Sequence, residues 1–128
     1  MIQYRKFTVT TDGSGDGVDT QDVYGRILRI DTDATAADTT GCDIVWAIAA
    51  IPERGSLAET VLTLTDLGDA SAVDYPRREV DDDAGAALAT AGDLKVEPFL
   101  ATGKVTMTVD EGGSGKTYTG AVWFDDGR

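Results

Sequence analysis

Two short stretches carry residue types in a spacing that could do chemistry. From Asp110 the chain reads DEGGSGKT, a phosphate-binding loop with Asp in place of its first Gly. From Asp12 it reads DGSGDG, with Asp12, Ser14 and Asp16 at alternate positions before Gly17, like the opening of a helix-flanked calcium loop. The first lacks its context. A phosphate loop must open a helix whose N-terminal N–H groups hold the anion, whereas Lys116-Thr117 runs directly into TYTGAVWF, a strand pattern. Only 11 residues follow Thr117, too few for a crossover helix and another parallel strand. The second lacks its closing ligand. Position twelve should be a bidentate Glu and is Val23, with Asp22 one place early. That leaves a solvated acidic glycine loop, or a calcium site of another kind built on Asp12, Asp16 and Asp19.

Other reactive groups are few. Cys42 is the single cysteine and His is absent, so no thiol–imidazole pair or internal disulfide exists. Cys42 reads as a small, half-buried residue at the start of a strand. Asp81-Asp82-Asp83 reads as a solvated run, because neighbours in an extended chain do not point to one centre. Acid–base catalysis would rest on carboxylates alone, and nothing among the 23 Asp and Glu singles out a pair. The expectation is no enzyme, no cofactor and no metal.

The elements that would position these residues are strands. Lys104, Thr106 and Thr108 alternate with Val105, Met107 and Val109, and a second run follows from Tyr118 to Phe124. With Gly112-Gly113-Ser114-Gly115 between them, they predict a C-terminal hairpin. Further strands are expected at Ile2 to Thr10, Val23 to Ile30, Val61 to Thr65 and Leu94 to Leu100; Ile44 to Ile51 fits a buried strand or a short helix by periodicity, and its residue types with Gly41 and Pro52 favour the strand. Gly25 marks a bulge or close approach in the second of these. Pro52 to Ser56 reads as a turn, Ser56 and Glu59 permit one capped helical turn, and Asp31 to Gly41 reads as a polar loop. Pro76 makes the segment around Tyr75 an edge strand or extended loop. The prediction is an all-β chain: one domain over residues 1–128, a β-sandwich or jelly roll of about seven to eight short antiparallel strands.

Composition narrows the partners. The net charge is −12, with 18 Asp against 5 Glu and only 4 Lys. Bulk charge of that sign repels nucleic acid and anionic lipid. The longest apolar stretch, Ile44 to Ile51, is far below the roughly 18 residues of a membrane-spanning helix. The N-terminal MIQYRKFTVT lacks the apolar core of a signal peptide. The acidity fits a halophilic or marine setting, in which salt screens the self-repulsion, or docking onto a basic partner.

Several stretches together resemble a family of head decoration (cement) proteins of tailed bacterial and archaeal viruses. They are Val23-Tyr24-Gly25-Arg26-Ile27-Leu28-Arg29-Ile30, Val61-Leu62-Thr63-Leu64-Thr65, Tyr75-Pro76-Arg77, Gly85, Pro98, Gly103-Lys104-Val105, Gly112-Gly113 and Gly120 to Phe124. The likeness covers about residues 20 to 126, and the acidity suits a haloarchaeal virus. It implies a β-sandwich or jelly roll, often trimeric, on the outside of a virion shell, with the major capsid protein as partner. In this reading Tyr75, Arg77 and Arg78 are candidate contacts with the shell or a neighbouring subunit, because aromatic–Arg clusters anchor interfaces. A core role for Tyr75, with the arginines neutralising Asp74 and Glu79, is the other reading. A neck, tail or turret protein of the same fold, or a calcium-dependent binding module, are the alternatives.

Overall fold

Alternation of apolar and polar residues dominates this chain, and alternation makes strands with one buried face. The computed structural model describes residues 1–35, 41–67, 70–79, 89–90, 93–94 and 96–128. It contains β1 (Ile2–Thr10), β2 (Gly17–Asp33), β3 (Asp43–Ile48), β4 (Glu59–Leu64), β5 (Ser71–Asp74) and β6 (Arg77–Glu79). Then come β7 (Ala89–Thr90), β8 (Asp93–Leu94), β9 (Val96–Pro98), β10 (Leu100–Asp110) and β11 (Thr117–Asp125). The chain is all-β, and every pairing among these strands is antiparallel. Among the described residues the one helical turn is the 3-10 turn Pro52–Arg54, where a turn is expected.

β2 organises the sandwich. Its first half, Gly17 to Arg26, pairs with β10, which continues through β3 to β4 and forms a back sheet. Its second half, from Arg26 to Asp33, pairs with β11 on one edge and with β5, over Ile30 to Asp33, on the other. With β1 beside β11, these make a front sheet. The strand passes from one sheet to the other at Gly25, whose φ is 136° and whose added Cβ would lie 2.1 Å from the Asp125 carbonyl oxygen. Only glycine fits there.

The two inner faces meet around Trp46 of β3, fully buried like Phe7, Ile27, Ile30, Val105, Met107, Tyr118 and Val122. The Trp46 ring stands edge-on to Phe7 of β1, with centroids 4.9 Å apart and planes at 82°. It lies against Gly120 of β11, where an added Cβ would be 2.5 Å from the ring. Its indole N–H donates to Thr32 Oγ1 at 3.1 Å, which satisfies a buried polar group across the sheets.

The expected C-terminal hairpin is corrected. β10 and β11 are consecutive but do not pair; β2 lies between them. Each carries one apolar face, and the 111–116 loop places those faces opposite one another in different sheets. The loop turns through Glu111 (φ 56°), Gly113 (φ 77°) and Gly115 (φ 66°). β2 is also longer than expected, because Gly17 to Asp22 and Asp31 to Asp33 join its ladders although their composition is polar. Ser56 bridges to Ile51 and β4 starts at Glu59, so no capped helical turn forms. Cys42 is fully buried, not half-buried. The strand expected at Leu94 to Leu100 is divided among β8, β9 and the start of β10. The run Asp81-Asp82-Asp83 and Gly85 lie outside the described residues.

The packing under Trp46 sets a test. Gly120→Ala should cost about 1–3 kcal/mol through overpacking, read as a fall of roughly 3–15 °C in thermal midpoint. Gly13→Ala is the control, because open space surrounds that position. Equal midpoints for the two variants would show that Gly120 is not a packing constraint.

Candidate functional site

The two motif-like loops turn out to be partners. The β1–β2 loop, 11–16, and the β10–β11 loop, 111–116, lie side by side as parallel arches between the sheets. Gly112 N–H donates to the Gly15 carbonyl at 2.8 Å, Thr11 N–H to the Lys116 carbonyl at 2.9 Å, and Lys116 N–H to Thr11 Oγ1 at 2.9 Å. Thr11 Oγ1 donates to the Gly113 carbonyl, and the buried Tyr118 hydroxyl to the Gly112 carbonyl. Two backbone N–H groups of the phosphate-loop-like stretch, those of Gly112 and Lys116, are spent on this clasp.

The calcium reading meets similar competition. Asp12 Oδ1 accepts the N–H groups of Ser14 at 2.8 Å and Asp16 at 3.1 Å, closing the turn. Those backbone hydrogen bonds, Asp16 first, hold the Asp12 carboxyl below its ordinary value. Asp19 Oδ2 accepts Thr8 N–H at 2.9 Å, and both its oxygens lie 3.2 Å from Gln21 Nε2. Asp16 instead adjoins Asp110. A hydrogen bond between those carboxyls, then some loss of hydration and the negative charge of Asp16, raises Asp110 above its ordinary value. Among the described residues no group of three or more acidic or thiol side chains is placed to hold an ion. Burial pushes the Cys42 thiol up, which disfavours the nucleophilic thiolate.

Tyr75, Arg77 and Arg78 occupy the corner between β5 and β6 but do not act as one cluster. Tyr75 is exposed, with its hydroxyl beside Arg29. Arg77 Nη1 donates to the carbonyls of Pro76 at 2.8 Å and Leu28 at 3.4 Å. Arg78 Nε lies 3.8 Å from Glu97 Oε1, across the β6–β9 ribbon. The exposure of Tyr75 excludes the core role, and among the described side chains Arg78 pairs with Glu97; the side chain of Glu79 lies outside them.

Two surfaces emerge that motif reading missed. On the outer face of the back sheet, Val18, Thr108, Val45 and Thr63 form one cross-strand row, and Thr20, Thr106, Ala47 and Thr60 the next. These eight positions carry no charge in a chain of net charge −12. The Lys104–Asp22 pair, at 2.8 Å, borders them on one side, and Asp43 and Asp110 on the other. On the outer face of the front sheet, Tyr4, Trp123 and Arg29 sit on adjacent strands, as do Lys6, Ala121, Asp31 and Val73. Arg29 Nε donates to Asp31 Oδ1 at 2.6 Å. That bond, aided by Tyr75, holds the guanidinium more firmly protonated than usual. The alternation of each strand was visible in sequence, but the register that aligns these rows was not.

The Asp16–Asp110 contact predicts a pH dependence. A carboxyl whose value is raised in the fold stabilises it while protonated, and that stability is lost as pH rises through the raised value. Asp110→Asn should therefore be more resistant to urea than the parent at about pH 7, and the difference should vanish below about pH 4. A difference that persists unchanged in acid would exclude carboxyl repulsion as its cause.

No family model matches the chain, and no curated protein matches it. A solved structure, the crystal structure of PirA, is similar over 94% of this chain and 92% of that one, at 9% identity and a TM-score of 0.45.

Proposed function

We propose that this is a structural virion protein, a decoration protein that binds the outside of a shell of major capsid protein and stabilises it without catalysis. The observation that carries the reading is the charge-free Thr/Val/Ala platform on the back sheet. In a chain this acidic, most approaches to another acidic surface are repulsive. An uncharged patch of mostly small β-branched side chains is where close protein contact costs the least desolvation. Its eight residues fall short of the roughly 20–30 a side of a standard one-to-one interface. Many copies on a symmetric shell turn such weak contacts into firm attachment.

In this reading the corner with Tyr75, Arg77 and Arg78 lies between neighbouring copies of a homotrimer, and the protein resides on the virion surface. High salt screens the repulsion between copies. The resemblance along Val23 to Ile30, Val61 to Thr65 and Tyr75 to Arg77 is the ground for the decoration role, and a neck, tail or turret protein of the same fold is the alternative.

Coexpression with the major capsid protein of the same genome, followed by sedimentation of the assembled shells, tests the reading. The parent protein should sediment with shells, whereas Thr106→Glu/Thr108→Glu should stay in the supernatant. Light scattering of either free protein in about 1 M KCl should give a trimer. Failure of the parent to bind, or equal binding by the variant, would overturn the assignment of the platform.

A further inference from the structure

The outer face of the front sheet, on the opposite side of the sandwich from the platform, carries a second device. Trp123 on β11 stands beside Tyr4 on β1, with ring centroids 5.0 Å apart and planes inclined by 33°. Tyr4 is 56% exposed. Beyond the rings, Ala121 leaves the sheet without a large side chain, and the depression there measures about 400 Å³. Its wall is Asp31, with both carboxylate oxygens engaged. Oδ2 accepts the Trp123 indole N–H at 3.2 Å and Oδ1 accepts Arg29 Nε–H at 2.6 Å. One carboxylate thus orients both an aromatic plane and a guanidinium, on strands, before any ligand arrives. Such prior ordering lowers the entropic cost of binding.

The chemistry of the walls selects the ligand. A quaternary ammonium would favour the rings but meets Lys6 and Arg29. An anion would favour those two but meets Asp31, Asp33 and the field of a −12 chain. A purely apolar ligand would take Lys6 and the outer edge of the Arg29 guanidinium out of water with nothing in exchange. What remains is a neutral ring with an apolar face and a polar rim. We propose that this depression binds a neutral pyranose, the terminal sugar of a glycan. Its C–H face packs on Trp123 and Tyr4, and its hydroxyl groups meet Arg29 and Lys6 as donors and Asp31 and Asp33 as acceptors. The inference uses the opposite face from the platform and stands whether or not the protein decorates a shell.

The test exploits the two tryptophans, because Trp46 is buried in the core and Trp123 lines the depression. Indole N–H resonances of the labelled protein are followed by NMR while methyl glucoside, methyl galactoside, methyl mannoside and N-acetylglucosamine are added separately. Choline and a proline-rich peptide are added in parallel. At least one sugar should shift the Trp123 resonance with a Kd of about 1 mM and leave Trp46 unmoved. Tyr4→Ala should weaken that binding about tenfold. Asp31→Asn should weaken it too, by loosening Arg29, and Trp123→Ala should abolish sugar-induced shifts of the neighbouring backbone amides. The proposal is overturned if no sugar moves Trp123 up to about 20 mM. It is equally overturned if choline or the peptide binds in place of the sugars, or if sugar-induced shifts survive in both folded aromatic variants.

Discussion

The contact of Trp46 with the opposite sheet is the constraint on which the rest depends. A side chain of that size on β3 cannot be buried unless the facing strand gives way, and Gly120 supplies the space. Phe7 then closes the ring edge-on, and Thr32 takes the indole proton that burial would otherwise leave unpaired. One residue of the back sheet is thereby tied to β1, β2 and β11 of the front sheet. The spacing and relative position of the two layers follow from it.

Connectivity follows from the need to cross between those layers. β2 does so within a single strand, at the glycine where no Cβ fits. At the opposite end of the strands the chain crosses through the arches at 11–16 and 111–116, which hydrogen-bond to each other through their backbones. Glycines are frequent in both arches because the chain reverses there and the two loops approach within hydrogen-bonding distance. This same density of glycine beside Asp, Lys and Thr imitates ligand-binding motifs. The resemblance is a by-product of tight turning, and the Gly112 and Lys116 N–H groups serve the neighbouring loop.

The two outer faces of the sandwich differ in chemistry in a way that total charge conceals. The back sheet presents small uncharged side chains, framed by a Lys–Asp pair and by carboxylates at its border. The front sheet presents aromatic rings braced by an Asp–Arg pair. The Asp31–Arg29 bridge is partly exposed, so its value lies in fixing orientation more than in stability. Acidic residues elsewhere keep the surface solvated, leaving these two faces as the places where close contact costs little electrostatic repulsion.

Period-two alternation in β1, β4 and β10 was legible in the sequence because the side-chain period of a strand is local and each strand buries one face. So were the turn at Pro52 and the close approach at Gly25, since proline and glycine restrict the backbone at single residues. The charge balance likewise needed no coordinates. Strand partners were not legible: the GGSG segment between two alternating runs serves equally as a hairpin turn or as an arch between sheets. Polar stretches such as Gly17 to Asp22 and Asp31 to Asp33 gave no apolar signal, yet their ladders hold them in β2. Trp123, Tyr4 and Arg29 are far apart in the chain and ordinary one by one. Only register placed them side by side on one face and the threonines together on the other. Register is set by which apolar faces must meet across the core, a non-local packing condition that no single stretch of sequence contains.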